Sequence, residues 1–254
     1  MKDRLLFIGD IHGEFNVITM YIKLYEIKNA HIIQLGDFGV GFNTVEKERR
    51  WLEMYQPTLI KNNVNVWVVR GNHDYKPHFD NDPFKLSNIH LVPDYSVLNL
   101  AGKNILFLGG ATSIDRARRY TKNQREGIFE NQRLGVESWW NDEVFVLEKD
   151  KLNNYRNIDI VVSHSCPSFC PPDNTYGLGP LVNSFLTKYQ DYNLKYDILN
   201  ERNDMTMAFE ILKLNNDIKY HYYGHYHNSS SIMVNNTIHR MLNINELYEE
   251  KYEE

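Results

Sequence analysis

Five short stretches of the chain each place a small residue beside side chains that ligate metals: Gly9-Asp10-Ile11-His12, Gly36-Asp37, Gly71-Asn72-His73-Asp74, Ser163-His164 and Gly224-His225-Tyr226-His227. They offer the carboxylates of Asp10 and Asp37, the imidazoles of His12, His164, His225 and His227, and the Asn72 amide. Carboxylate oxygen, imidazole nitrogen and amide oxygen are what hard and borderline divalent ions take, and seven donors suffice for two ions. A carboxylate is the common side chain that bridges two cations, which makes Asp37 the natural bridge. Ions about 3.5–4 Å apart share a hydroxide that attacks without any protein nucleophile, and they neutralise charge on the group attacked. Each motif alone is weak, because Asp-x-His or Gly-Asp occurs by chance in many chains. The ordered set is specific.

The elements that must position these residues are visible as apolar runs of strand length at residues 5–8, 32–35, 64–69, 105–108, 158–162 and 220–223. Most show little polar alternation, the pattern of a strand buried on both faces, and helical patterns fall between several of them. Residues 15–24, 45–60 with an interruption near Pro57, 181–189 and 205–214 read as helices. An α/β architecture follows. Five strands end within two or three residues of a candidate ligand. Ligands in such folds sit outside the carboxyl ends of strands, so loops far apart in sequence are expected to converge there. Asn235-Asn236 between residues 232–234 and 237–241 reads as a hairpin turn, and the charged tail from Tyr248 to Glu254 as a solvated end.

Composition places the chain among ordinary globular proteins: 254 residues, 42% hydrophobic, 24% charged, with one domain expected over 1–254. The net charge of -5 gives no general attraction for a phosphate backbone, so nucleic-acid affinity would need a local basic patch. No apolar run has the length of a membrane span, and the N-terminus lacks the apolar stretch of a signal peptide, so a cytoplasmic location without membrane contact is expected. Cys166 and Cys170, close together in a Pro-rich loop, read as reduced thiols ahead of a metal half-site or a redox pair. His31, His78, His90, His221 and His239 lack the setting of the ligand motifs and read as packed or surface residues.

The ordered motifs resemble those of the calcineurin-like metallophosphoesterase superfamily: Asp-x-His, Gly-Asp, Gly-Asn-His-Asp, a later His and Gly-His-x-His, spanning residues 10 to 227. The stretches Gly109-Gly110-Ala111-Thr112-Ser113-Ile114-Asp115-Arg116 and Trp139-Trp140-Asn141-Asp142-Glu143 are similar to compact bacterial and bacteriophage members. The resemblance implies a four-layer sandwich of two mixed β-sheets flanked by helices. It implies Asp10, His12, Asp37 and His227 around one divalent ion and Asp37, Asn72, His164 and His225 around the other. Manganese is the favoured ion, with iron, zinc and nickel as alternatives. It also gives His73 the role of general acid toward the leaving group, consistent with a His adjacent to ligand Asn72 but outside the ligand set.

Related protein phosphatases carry Asp-Arg shortly after Gly-Asp, where the Asp orients the catalytic His and the Arg holds phosphate. Here Asp37 is followed by Phe38-Gly39-Val40-Gly41-Phe42, which argues against a protein Ser/Thr phosphatase. Asp74 is a candidate orienting group for His73, with a role inside its own loop as the alternative. Replacement phosphate contacts are sought in an irregular segment holding Arg116, Arg118, Arg119, Lys122, Arg125 and Arg133 with Tyr120 and Phe129 interleaved. Arg116 is favoured for its closeness to the 105–108 strand, with Arg118 beside it and Asn72 as a further substrate contact. The Trp139-Trp140 pair reads as packing. The expected activity is hydrolysis of a phosphomonoester or phosphodiester, with nucleotides or nucleic-acid ends as candidate substrates. The alternative is a non-catalytic scaffold that keeps the fold, against which stand the seven ligands and His73, all present.

Overall fold

The computed structural model describes residues 3–125, 139–172 and 180–250. Phe129, Arg133, the 176–179 stretch of the second insertion and the tail residues 251–254 lie outside them. The described strands are β1 (Arg4–Ile8), β2 (Ala30–Gln34), β3 (Val64–Val68), β4 (Ile89–Leu91), β5 (Val97–Leu100), β6 (Lys103–Leu108), β7 (Ile160–Ser163), β8 (Tyr220–Tyr223), β9 (Ser230–Val234), β10 (Thr237–Met241) and β11 (Leu247–Glu249). The helices are α1 (Asn16–Leu24), α2 (Val45–Glu53), α3 (Gln56–Asn62), α4 (Lys76–Asp80), α5 (Arg116–Arg125), α6 (Lys149–Asn154), α7 (Pro180–Tyr189) and α8 (Leu194–Lys213).

One sheet runs β11-β1-β2-β3-β4 and the other β5-β6-β7-β8-β10-β9. Both are mixed. In the first, β1 to β4 are parallel and β11 is antiparallel to β1. In the second, β6, β7, β8 and β10 are parallel, with antiparallel β5 and β9 at the edges. The alternation of side chains along β1 shows why its run is apolar throughout: Leu6 and Ile8 pack with Ile18, Ile22 and Leu52 of the helical layer. Leu5 and Phe7 face the other way, between the sheets, among Ile33, Phe107, Val162 and Tyr222. Phe7 stacks on Tyr222 with ring centroids 3.6 Å apart. On the far side of the second sheet, Leu106, Leu108 and Val161 meet Leu152 of α6 and Met205, Phe209 and Leu212 of α8. The result is helix, sheet, sheet, helix. Because β1, β2, β3, β7 and β8 end on one rim, their C-terminal loops share that rim.

Several expectations are corrected. The residue 45–60 helix is two helices, broken before Pro57, which sits in the first turn of α3 where its missing N–H costs nothing. The 205–214 helix begins eleven residues earlier, at Leu194. Glu201 and Arg202 are buried on its inward face, and these charges hid the period. Within the segment after Gly110, the stretch Arg116–Arg125 is helical and forms α5. The charged tail is partly a strand: Leu6 pairs with Glu249 and Ile8 with Leu247. Arg4 clasps Glu249 through Nε–Oε1 at 2.7 Å and Nη2–Oε2 at 2.8 Å, the charged dress of a protected edge. The hairpin is as expected, with Asn235 and Asn236 at φ 48° and 62° joining β9 to β10.

Candidate metal centre

All seven candidate ligands arrive on the shared rim. Asp10 and His12 follow β1, Asp37 follows β2, Asn72 follows β3, His164 follows β7, and His225 and His227 follow β8. Ligand atoms of Asp10, His12, Asp37 and His227 all lie within 4.8 Å of one another. Within that group, His12 Nε2 is 3.1 Å from His227 Nε2, and His227 Nε2 is 3.2 Å from Asp10 Oδ2. Asp37 joins this group to the next, with Oδ2 3.8 Å from His12 Nδ1 and Oδ1 3.2 Å from His164 Nε2. His164 Nε2 is 2.9 Å from Asn72 Oδ1, and the His164 and His225 rings are 4.9 Å apart. Two groups of donors, bridged by Asp37, are thus set side by side.

The loops are shaped around these side chains. His12, Asp37, His225 and His227 all hold positive φ, at 44°, 55°, 70° and 50°. Such conformations cost non-glycine residues on the order of 1–3 kcal/mol each and persist where surroundings over-determine them, typically at functional sites. Gly36, at φ +94°, leaves the space that a Cβ would take from His164 Nδ1. Gly224 does the same for the Asp10 carboxylate. Those glycines therefore serve the neighbouring loop as much as their own turn.

The donor set fits divalent ions. His164 Nδ1 donates to the Leu35 carbonyl at 2.7 Å, so its Nε2 turns toward Asn72 Oδ1 and Asp37 Oδ1. Asn72 Nδ2 donates to Ser113 Oγ at 2.7 Å, which fixes the amide with its oxygen facing inward. Electron-rich atoms therefore converge, and a positive charge is required among them. In the metal-free chain a proton on His164 supplies part of it: burial opposes that charge, but Asp37 and Asp10 outweigh burial and raise its pKa to about 9. Asp37 is held well below its usual value, burial being outweighed by His164, His73 and His12. An incoming ion must displace the His164 proton below about pH 9. Apparent affinity is expected to rise with pH up to that value and then level, with proton release visible as buffer-dependent heat in titration calorimetry. A pH-independent affinity would oppose this.

Asp74 does not orient His73. Its carboxylate accepts from the backbone N–H groups of Phe38, Gly39, Val40 and Gly71, at 3.1, 2.7, 3.2 and 2.8 Å, and so ties the loop after β2 to the loop after β3. Nor does the structure bring Arg116 or Arg118 to the ligands. Arg116 grips Asp191 (2.7 and 3.0 Å) and Asp197 (2.6 Å), fastening α5 to the α7–α8 connection and to the first turn of α8. Arg118 Nη2 donates to Asp115 Oδ2 at 2.8 Å. Closeness in sequence to β6 was a poor guide because α5 turns its arginines toward these carboxylates. Trp140 is packed with Phe42 and Tyr75, as expected.

Sequence reasoning missed the residues behind Asn72. Ser113 Oγ donates to Glu143 Oε2 at 2.7 Å while accepting from Asn72, Ser113 N donates to Glu143 Oε1 at 2.8 Å, and Arg119 reaches Ser113, Glu143 and Asp115. Burial raises Glu143 to about 7, against the opposing pull of Arg119 and the Ser113 hydrogen bonds. The signal was present in two stretches noted only for their resemblance, Gly109 to Arg116 and Trp139 to Glu143. Ser113→Ala is expected to weaken metal affinity by about 10–100-fold, the usual effect of losing a group that orients a ligand. Competition with a chelator measures it, and an unchanged affinity would remove Ser113 from the set.

The centre opens into a cleft of about 560 Å³. Asp37, Asn72, His73, His225 and His227 form its floor, and Ile114, Pro172, Val182, Phe185, Ile198 and Tyr226 an apolar wall. Asp115 lies in the same lining as His73, and the two charges act on each other. Among the described residues of the lining there is no Lys or Arg.

A two-sheet sandwich with Asp, His and Asn donors on one rim defines the class of metal-dependent phosphoesterases. The chain belongs to the calcineurin-like phosphoesterase family, whose sequence profile matches residues 3–229. The family is dinuclear and metal-dependent, and the candidate ligands are present here. No curated protein matches the chain. Among solved structures it is similar to a dimetal phosphatase from Danio rerio, at TM-score 0.52 and 13% identity over 96% of this chain and 88% of that one. It is also similar to phosphopantetheinyl hydrolase from Mycobacterium tuberculosis, at TM-score 0.45 and 14% identity over 96% and 90%. A third is GAP50, the anchor in the inner membrane complex of Plasmodium, at 0.41 and 15% over 95% and 72%. At 13% identity the first likeness is one of fold. No helix among the described residues is long and apolar enough to cross a membrane.

Proposed function

We propose that residues 1–254 act as one domain that hydrolyses a phosphoric ester with two divalent ions, manganese foremost, held by Asp10, His12, Asp37 and His227 and by Asp37, Asn72, His164 and His225. The observation that carries this reading is the convergence of seven donors from five strand ends on one rim, four of which, Asp37, Asn72, His225 and His227, line the cleft. Ions bound there supply Lewis acidity and a water activated near neutral pH. The chain's own residues do the rest. Asn72 and His73, both in the cleft lining, would contact the ester, and His73 protonates the leaving oxygen, with the charge of nearby Asp115 favouring its protonated form. With no ester bound, burial holds His73 down at about 4, against the pull of Asp37. The negative charge of a bound ester favours the imidazolium needed for that transfer.

The lining also bears on the substrate. A wall of Ile114, Val182, Phe185 and Ile198, with no cationic side chain among the described lining residues, suits a compact ester with an apolar or planar leaving group. It suits a singly charged diester better than a doubly charged monoester, and a nucleotide-sized molecule better than a nucleic-acid strand. Arg116, Arg118 and Arg119, three of the six basic residues on which the nucleic-acid reading rested, are engaged by carboxylates. Rates on an aryl diester and the matching monoester, with manganese added, test this. A higher kcat/KM for the diester with a shallow salt dependence is expected. Monoester preference, or a steep salt slope on DNA or RNA, would reject the substrate reading.

A further inference from the structure

On the face of the second sheet away from the first, β8 and β10 run in a register that sets His221 directly beside His239. Their Nδ1 atoms are 3.0 Å apart. Cys170 comes to them from the loop after β7, and its Sγ and one ring nitrogen of each histidine all lie within 4.8 Å of one another. All three residues are buried. Nothing in the dinuclear chemistry uses them.

The hydrogen bonds fix how one histidine presents itself. Ser163 Oγ donates its single hydrogen to the Ser165 carbonyl at 2.5 Å, so at 2.7 Å it accepts from His221 Nε2. A neutral His221 therefore turns a bare Nδ1 lone pair toward His239. An N–H held by an outer partner while the other nitrogen faces inward is the arrangement of a metal-ligating histidine, and His164 shows it in the dinuclear centre. His239 then has two tautomers. With the proton on Nδ1, its Nε2 is a buried acceptor with no hydrogen-bond partner among the described residues. With the proton on Nε2, two lone pairs face each other at 3.0 Å. A cation between the rings turns that second arrangement into an attraction.

The third donor is a thiol in the metal-free chain, because burial pushes Cys170 up, and it needs a cation close by to become a thiolate. Arg202 already pulls in that direction. Its guanidinium donates to the Cys170 carbonyl at 2.5 Å and the Pro167 carbonyl at 3.1 Å. One sulfur and two imidazole nitrogens form a borderline-soft set.

We propose that Cys170, His221 and His239 form a separate, structural site for one borderline-soft divalent ion of the zinc class. The ion fastens the 166–172 loop to β8 and β10. That loop begins two residues after His164 and carries Pro172 into the cleft wall, so the site supports the catalytic rim from behind. Binding replaces the thiol proton of Cys170 with the ion and releases that proton to solvent. Cys166, whose thiol meets that of Cys170, is a candidate for a fourth position.

Cobalt(II) tests this on the full, reduced chain. The dinuclear ligands include no sulfur, so a thiolate-to-cobalt charge-transfer band in the near ultraviolet reports this site alone. The band is expected in the wild-type protein, with the amplitude of one thiolate-bound cobalt among the three taken up per chain. It should persist in Asp37→Asn, which disables the dinuclear centre, and vanish in Cys170→Ser with loss of one metal equivalent. A wild-type chain that fills the dinuclear centre with cobalt but shows no such band would overturn the proposal, whether or not Cys170→Ser folds. So would a band that survives in Cys170→Ser and is lost in Cys166→Ser.

Discussion

Asp37→Asn is expected to release both ions of the dinuclear centre and to take hydrolysis below detection, the largest effect of any single substitution in the chain. The amide keeps the shape and an oxygen able to accept from His73 N, a bond of 2.7 Å in the wild type. What it removes is the one charge that faces both groups of donors, at 3.8 Å from His12 and 3.2 Å from His164. Removing one partner of a buried charge pair costs about 3–5 kcal/mol, so metal-free Asp37→Asn should also melt at a lower temperature than the metal-free wild type. Metal analysis after gel filtration, with a thermal melt of both metal-free proteins, reads the two effects. Retention of two tightly held ions would show that Asp37 is not the bridge.

His73→Ala should separate chemistry from metal binding. Turnover is expected to fall by about 10²–10⁴-fold, the range for loss of a general acid, while both ions remain bound. The loss should shrink for esters whose leaving group is already a weak base, because such an oxygen departs without a proton. His73 sits in the cleft lining, and its backbone N–H, which binds Asp37, survives the substitution. If the metals leave with the side chain, the residue is a ligand or a prop for one. If activated and unactivated esters suffer equally, the acid role is wrong even with the metals in place.

The parts of this centre that could be read in the sequence are those where one loop carries its own signal. Asp10 and His12, or His225 and His227, follow a strand buried on both faces and sit directly after a glycine in the sequence. Contiguity made them legible. What was hidden depends on pairing across distance. Ser113 and Glu143 meet because the Ser113 backbone and hydroxyl both bind one carboxylate thirty residues away. His221 and His239 meet through the β8–β10 register, and Cys170 reaches them only after the chain turns back beyond His164. Helix α8 was seen by half because Glu201 and Arg202 point inward, where a period of apolar residues was sought. The β11 strand was concealed by the charges that protect its edge. Arg116 misled for the opposite reason: a basic cluster near a strand end suggested phosphate, whereas Asp191 and Asp197 were already its partners in space.

Whether the five strand-end loops build a working dinuclear centre is decided by the manganese content of the purified wild-type chain and of Asp37→Asn, taken with hydrolysis of an aryl diester before and after metal removal. Two manganese ions per wild-type chain are expected, neither of them held by Asp37→Asn, with hydrolysis that disappears with a chelator and returns with manganese. A wild-type chain that holds no more manganese than Asp37→Asn, and that shows no hydrolysis when manganese is restored, would contradict the dinuclear centre.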